Sequence, residues 1–253
     1  MDEATIPEPE VTQNGAGTKS EVDPAAGEHP AIEYYYPFHS SVAAYNRQKG
    51  LTEGKDYKVW AKEGFDLQEA VRAIDRPIVE IGGPSEEGYY FLDSLALPSR
   101  PHITNIALPH EMPDSAHLVE ELVDGRNLPY DDGSLGVVLA QAMNHTELGR
   151  ESINTAEGND IFSKALEELN AVAVGSLKPE DAVNSLRIKI YLEIRRALQN
   201  GGLLISTGRD RDIKALEKMG FELVGYMQDY IDPSESYGGD HGVFYEFVMR
   251  KIE

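Results

Sequence analysis

The stretch from Leu135 to Ala142 constrains the fold more than any other, being a near-continuous apolar run of strand length. A turn signal, Asp131-Asp132-Gly133-Ser134, stands in front of it. Such a run has no polar face to give to water, so it belongs to a strand covered on both sides, as in the middle of a parallel sheet. Its surroundings fit that placement. Ile78 to Ile81, His102 to Leu108, Leu118 to Val123, Leu203 to Ser206, Phe221 to Met227 and Val243 to Lys251 read as further strands. Helices are expected over Asp66 to Ile74, Gly88 to Leu97, Ile161 to Val174, Pro179 to Gln199 and Asp212 to Met219. In the helix from Pro179, residues Val183, Leu186, Ile190, Ile194 and Leu198 form one stripe, and Gly201-Gly202 ends it. Strands alternating with helices imply an α/β fold: a doubly wound, mostly parallel, seven-stranded sheet with helices on both faces. No helix fits between the last two strands, so the final one is expected to run antiparallel.

Three regions follow from this pattern. Residues 1–30 are rich in Pro, Gly and acids with almost no large apolar side chains, and read as a disordered acidic tail. Residues 31–76 read as an N-terminal helical segment or lid, with a short helix capped by Ser40 or Ser41 and running through Asn46. Its aromatic cluster Tyr34-Tyr35-Tyr36-Pro37-Phe38 is either packing or a wall over an acceptor pocket. Residues 77–253 form the α/β domain, with a helical insert at 147–178 expected to cover that pocket.

Composition narrows the function classes. With 41% apolar residues the chain can bury a substantial core, but no run approaches the ~20 apolar residues that span a bilayer. The N-terminus has no basic start followed by an apolar block, so it does not read as a secretory signal. The absence of cysteine removes disulfides and thiolate metal sites, and a cytoplasmic location is expected. The formal charge of −21 repels phosphate backbones and anionic membranes, so neither a nucleic-acid nor a membrane partner is expected. The partner expected instead is a small-molecule acceptor, with a homo-oligomer left open. His102, His110 and His117 do not have metal-ligand spacing, and no metal is expected.

In an open parallel sheet, ligands sit beyond the carboxyl ends of the strands, at the switch in strand order. The turn after the first strand of the domain is Glu80-Ile81-Gly82-Gly83-Pro84-Ser85. Gly82 and Gly83 permit a sharp turn and a close approach, and Glu80 can accept hydrogen bonds from an amine or a hydroxyl. Such a turn is either a ligand site or a tight structural corner.

Several segments, in order, carry a resemblance. Val79-Glu80-Ile81-Gly82-Gly83-Pro84-Ser85 resembles the first motif of class I S-adenosylmethionine-dependent methyltransferases. Val123-Asp124-Gly125-Arg126-Asn127-Leu128-Pro129-Tyr130-Asp131-Asp132-Gly133-Ser134 resembles that family's acid-to-Gly-Ser segment before strand four. Glu193 to Leu204, around Gly201-Gly202, is similar to its helix, Gly-Gly, strand-five element, and Lys214 to Leu223 to its later helix, Gly-Phe, strand step. The resemblance runs from about Pro77 to Lys251. It implies a Rossmann-like methyltransferase fold and S-adenosyl-L-methionine as cofactor. It further implies that Glu80, Gly82 and Gly83 hold the methionine end. Asp124 would face the adenine amine, with Gly125 or Arg126 giving a backbone N–H to the ring. Asn105 is the candidate for the ribose, and Gln141 and Asn144 would border the sulfonium and the acceptor. His145 is the candidate general base, the alternative being a hydrogen-bonded histidine at a strand end.

The departures from the family pattern are specific. Pro84 and Glu86 stand where its second and third motif glycines are usual. No acid ends the second strand, and Gly136 replaces the aspartate common at the start of strand four. These departures frame the alternative: a methyltransferase-like binding or scaffolding protein that has lost tight cofactor binding. A nicotinamide-dependent oxidoreductase would want a cleaner Gly-x-Gly-x-x-Gly and an acid after strand two.

Overall fold

The computed structural model describes residues 58–83, 97–105, 118–140, 156–231 and 242–252. The strands are β1 (Lys58–Ala61), β2 (Ile78–Ile81), β3 (His102–Asn105), β4 (Glu121–Leu122), β5 (Leu135–Ala140), β6 (Leu198–Gly208), β7 (Phe221–Ile231) and β8 (Gly242–Lys251). The helices are α1 (Leu67–Ala73), α2 (Ala156–Ala173), α3 (Leu186–Ala197) and α4 (Asp210–Lys218), with a 3-10 turn at Pro179–Asp181.

All the strands join one sheet in the order β1-β7-β8-β6-β5-β2-β3-β4. The chain lays β2, β3 and β4 outward in parallel, then crosses back to place β5 and β6 on the other side of β2. The last strand, β8, inserts antiparallel between β6 and β7, as the missing crossover helix requires. The sheet has one strand more than expected. β1 falls inside the segment read as helical and adds an antiparallel edge to β7, with Trp60 stacked on Tyr226 at 5.5 Å between ring centroids. A Lys-Val-Trp-Ala tetrapeptide has too little periodicity to announce a strand; its pairing with β7 supplies the reason. The edge is pinned by Lys62, which pairs with Glu222 on β7, while Arg250 of β8 bonds the same carboxylate at 2.9 Å.

Alternate residues feed two cores. Val79, Ile81, Val138, Ala140 and Leu204 face α2, α3 and α4, where Leu169, Ile188, Ile194 and Leu216 are buried against them. Ile78, Val137, Leu139, Leu203 and Ile205 face the other way, toward Val71 of α1 and Leu97. The sheet is therefore wound on both faces, and every residue of β5 is buried. Burying each large aliphatic side chain contributes about 1.5–3 kcal/mol, which is why this strand fixes the middle of the sheet.

The helix expected from Pro179 starts later. Its first turn is a separate 3-10 turn, and α3 begins at Leu186 behind an N-cap Ser185, whose hydroxyl accepts from Ile188 N–H at 3.4 Å. Val183, expected in the buried stripe, is 67% exposed; Ile190, Ile194 and Leu198 are buried as expected, and Ile188 and Tyr191 join them. The cause lies in α2. Glu168 accepts from the N–H groups of Val183 (3.2 Å), Asn184 (2.8 Å) and Ser185 (2.8 Å) and from the Asn184 amide (2.6 Å), which holds that segment out of a helix. Burial, the largest single influence on this carboxyl, pushes its pKa up, but the N–H groups of Ser185, Asn184 and Val183 and the Asn184 amide together hold it below the usual 4.5. A depressed carboxyl contributes stability above its unfolded pKa and loses it as pH falls through the folded value. Glu168→Gln should therefore lower the unfolding free energy measured in urea at neutral pH, by about 1 kcal/mol as for a lost cap, and the gap to the parent should narrow as pH drops below 4.5. A gap unchanged by pH would remove the carboxylate from this role.

Among the described residues no helix is long and apolar enough to cross a membrane, and no group of three or more His, Cys, Asp or Glu side chains is placed to hold a metal ion.

Candidate functional site

The switch in strand order lies between β2 and β5, and in an open parallel sheet the crevice at such a switch lies beyond the carboxyl ends of the strands. Ile81-Gly82-Gly83 leaves β2 at that point. Gly82 has φ +74°, a left-handed conformation that a side chain would strain. Gly83 is required for another reason: a Cβ there would lie 2.5 Å from the Glu80 carboxyl carbon. The missing side chain is what lets the fully buried Glu80 fold back against its own turn.

The neighbouring strand ends lock this turn. Thr104 Oγ1 donates to the Glu80 carbonyl at 2.9 Å, and Gly83 N–H donates to the Thr104 carbonyl at 3.0 Å. Asn105, 7% exposed at the end of β3, donates its amide N–H to the Gly83 carbonyl at 2.5 Å. Val123 N–H then donates to the Asn105 carbonyl at 3.0 Å. The ends of β2, β3 and β4 are thereby stitched together, and Asp124 comes directly after them. Asn105, expected as a ribose partner, has its amide on the glycine turn. Thr104 also holds the turn, a role that nothing in the sequence pattern announces.

Asp124 sits at the rim, 35% exposed, where Asn127 N–H closes a turn on its carbonyl at 2.9 Å. Its carboxylate accepts from Arg126 N–H at 2.9 Å and from the Arg126 guanidinium at 2.5–3.0 Å. The Arg126 side chain holds the Asp124 carboxyl below its usual range despite partial burial, and the carboxylate in turn raises the guanidinium. Gly125 packs under α3: a Cβ there would stand 3.3 Å from Ile190.

The loop after Asp124 is clamped from α3. Arg196 donates to the carbonyls of Tyr130 (2.8 Å) and Leu128 (3.0 Å) and to Asp132 (2.7 Å) and Glu193 (2.9 Å). Glu193 accepts from Leu128 N–H at 3.2 Å. Hydrogen bonds to Glu193 and Asp132 raise the Arg196 pKa further, so this clamp stays charged. Burial, then Glu121 and Glu120, push the Tyr130 phenol up to about 12, so it stays a neutral hydroxyl. Glu193 and Arg196 stand three apart on one helix face; that spacing was the only sign of the clamp in the sequence.

On the far side of the crevice β5 ends at Ala140, whose carbonyl accepts from Ser206 Oγ of β6 at 2.6 Å. Gln141, Asn144 and His145 come next in the chain but lie outside the described residues, as do Pro84, Glu86 and nearly all of the expected helix Gly88–Leu97. Glu80, Gly82, Gly83, Asn105, Asp124, Gly125 and Arg126 are thus brought to one edge of the sheet. Chemically this edge offers a buried carboxylate folded against the turn, a Gly82 whose Cβ position meets nothing within 4 Å, and a second carboxylate at its rim. Both acids accept hydrogen bonds from amines or hydroxyls.

No family model matches the chain, and no curated protein matches it. Solved structures are similar in outline. A SAM-dependent methyltransferase from Methanosarcina mazei is 13% identical over 74% of this chain and 99% of its own, with a TM-score of 0.39. The N-methyltransferase NodS from Bradyrhizobium japonicum is 12% identical over 70% and 86%, with a TM-score of 0.38. A TehB-like SAM-dependent methyltransferase from Corynebacterium glutamicum is 13% identical over 82% and 95%, with a TM-score of 0.35. Likenesses this distant carry no argument for an activity; the chain's own residues have to.

Proposed function

We propose that the chain is an S-adenosylmethionine-dependent methyltransferase acting on a small-molecule acceptor. The observation that supports this reading is the adjacency of Glu80, the Gly82-Gly83 turn and Asp124 at neighbouring strand ends beside the switch point. The residues suit the cofactor. The Glu80 carboxylate, folded against Gly83, and the open space at Gly82, where a Cβ would meet nothing within 4 Å, suit the cationic amino end of a methionine. The rim carboxylate of Asp124 suits an exocyclic amine, with the Gly125-Arg126 backbone beside it.

When bound, the cofactor supplies a methyl group already activated on a sulfonium. The chain then has to orient the acceptor, keep water out and provide a proton sink. Glu80 would accept from the amino group, Gly82 and Gly83 would let the backbone come close, and Asp124 would hold the opposite end. Asn105 holds the turn in shape through Gly83 and would be the residue to meet the ribose. Gln141 and Asn144 would border the acceptor, and His145 would take its proton at a ring nitrogen. The charge of −21 disfavours polyanionic acceptors.

Isothermal titration with the cofactor and with its demethylated product, S-adenosylhomocysteine, tests the reading. Binding by the parent protein is expected, with Asp124→Ala weakening it about tenfold or more, the loss of a hydrogen bond to a charged group, and His145→Ala leaving it nearly unchanged. No heat at millimolar ligand would sink the proposal. That outcome would favour the second reading, a binding or scaffolding protein on the same fold, for which the occupation of Asp124 by Arg126 is the supporting observation.

A further inference from the structure

The geometry points to Arg126 as a built-in lock on the Asp124 subsite, one that an arriving amine-bearing ligand must displace; this inference rests on the proposed reading of that site. Both Asp124 oxygens are taken. Oδ1 accepts from the Arg126 backbone N–H and from its Nε, each at 2.9 Å. Oδ2 accepts from Nε at 3.0 Å and from Nη2 at 2.5 Å. The two groups through which this loop would meet an adenine-like ring, the carboxylate and the residue-126 N–H, therefore satisfy one another.

The pair has the character of a latch. Asp124 is the only partner of the Arg126 side chain among the described residues, and the side chain is 46% exposed, so it can swing out into water without leaving another group uncompensated. Arg196 makes the contrast plain: on the same loop, it is held by two carbonyls and two carboxylates and cannot leave without releasing all of them. A neutral amine donor that reaches Asp124 competes with a guanidinium rather than with bulk water. The ligand class is set by that competition: a group that donates hydrogen bonds to a carboxylate and brings no cation of its own must overcome the lock at a cost in affinity.

Electrostatics gives the lock two consequences. Removing the guanidinium frees the carboxylate, so affinity for such a ligand rises. An exposed pair is also screened by salt, so in the parent protein the lock weakens as ionic strength increases. An exposed ion pair of this kind corresponds to about a two- to fivefold change in binding.

The test is calorimetric titration of S-adenosylhomocysteine into the full chain and into Arg126→Ala and Arg126→Gln, at about 0.05 M and about 0.5 M salt, spanning weak to strong screening. Both variants are expected to bind about two- to fivefold more tightly than the parent at low salt, with the difference shrinking at high salt. Equal or weaker binding by both variants at low salt overturns the lock while leaving the cofactor reading intact; weaker binding would mean that the guanidinium contacts the ligand instead. Absence of binding by all three proteins overturns the site reading itself, and the lock with it.

Discussion

Replacing Arg187 with methionine should destabilise the fold by about 3–5 kcal/mol, because it strands the Asp212 carboxylate in the interior. Arg187 and Asp212 are 3% and 0% exposed and bonded at 2.7 Å. Asp212 does more than pair. It starts α4, accepting from Arg209 N–H at 2.8 Å, and it accepts weakly from the Tyr191 hydroxyl at 3.4 Å. Burial first, and then the Asp212 carboxylate, push the Tyr191 phenol well above its usual value, so it is a donor at every working pH. Gly208 belongs to the same arrangement, since a Cβ there would come within 2.9 Å of the Asp212 carboxyl. A lone arginine-to-methionine change keeps much of the volume and removes the charge. The double variant Arg187→Met, Asp212→Asn removes both charges while keeping an acceptor for Arg209, so it should recover part of the loss. Urea unfolding of the parent, both singles and the double measures the coupling. A single-variant cost under about 1 kcal/mol, the range of exposed pairs, would show that the pair is not buried in solution.

This pair also shows where local sequence pattern stops being informative. Polar residues at 187, 191 and 212 fall on helix faces that periodicity alone assigns to water or to the margin of a stripe, and their burial is decided by α3 meeting α4. What local pattern could settle was settled. The apolar run at Leu135 became a strand buried throughout, Ile78–Ile81 kept its expected bounds, and Asp66 caps α1 by accepting from Glu69 N–H at 2.8 Å. Glu80, Gly82 and Gly83 were legible as a sharp turn, because paired glycines directly after a short apolar strand mark one; the pattern fits a structural corner as well as a ligand site. The pairing of Asp124 with Arg126, the Asn105 amide on Gly83 and the Glu168 cap over residues 183–185 were not legible. Each depends on a side-chain direction or on an element distant in sequence. The strand β1 was missed for the same reason, since four residues acquire their identity from β7.

The glycine at 136 carries the last expectation, and it concerns why this chain departs from the pattern it resembles. A Cβ at Gly136 would lie 2.1 Å from Ile74 Cγ2, 2.8 Å from Arg76 Cβ and 3.2 Å from the Arg76 carbonyl oxygen. The end of α1 and the linker into β2 therefore press directly on the start of β5, and Gly136 N–H donates to the Pro77 carbonyl at 3.0 Å within that contact. No aspartate fits in this arrangement. Gly136→Ala should cost about 1–3 kcal/mol as an overpacked site, at the upper end because two carbons collide. Gly136→Asp should cost more, since it also places a carboxylate where burial leaves it unsolvated. Removing the obstacle tests the cause: Ile74→Ala combined with Gly136→Ala should be less destabilised than the sum of the two singles. Additive losses in urea unfolding would mean that Ile74 is not what excludes the side chain. The expected non-additivity would tie residues 74–76 to the central strand as part of its packing, so that the absent aspartate reflects how this chain seats its N-terminal helix.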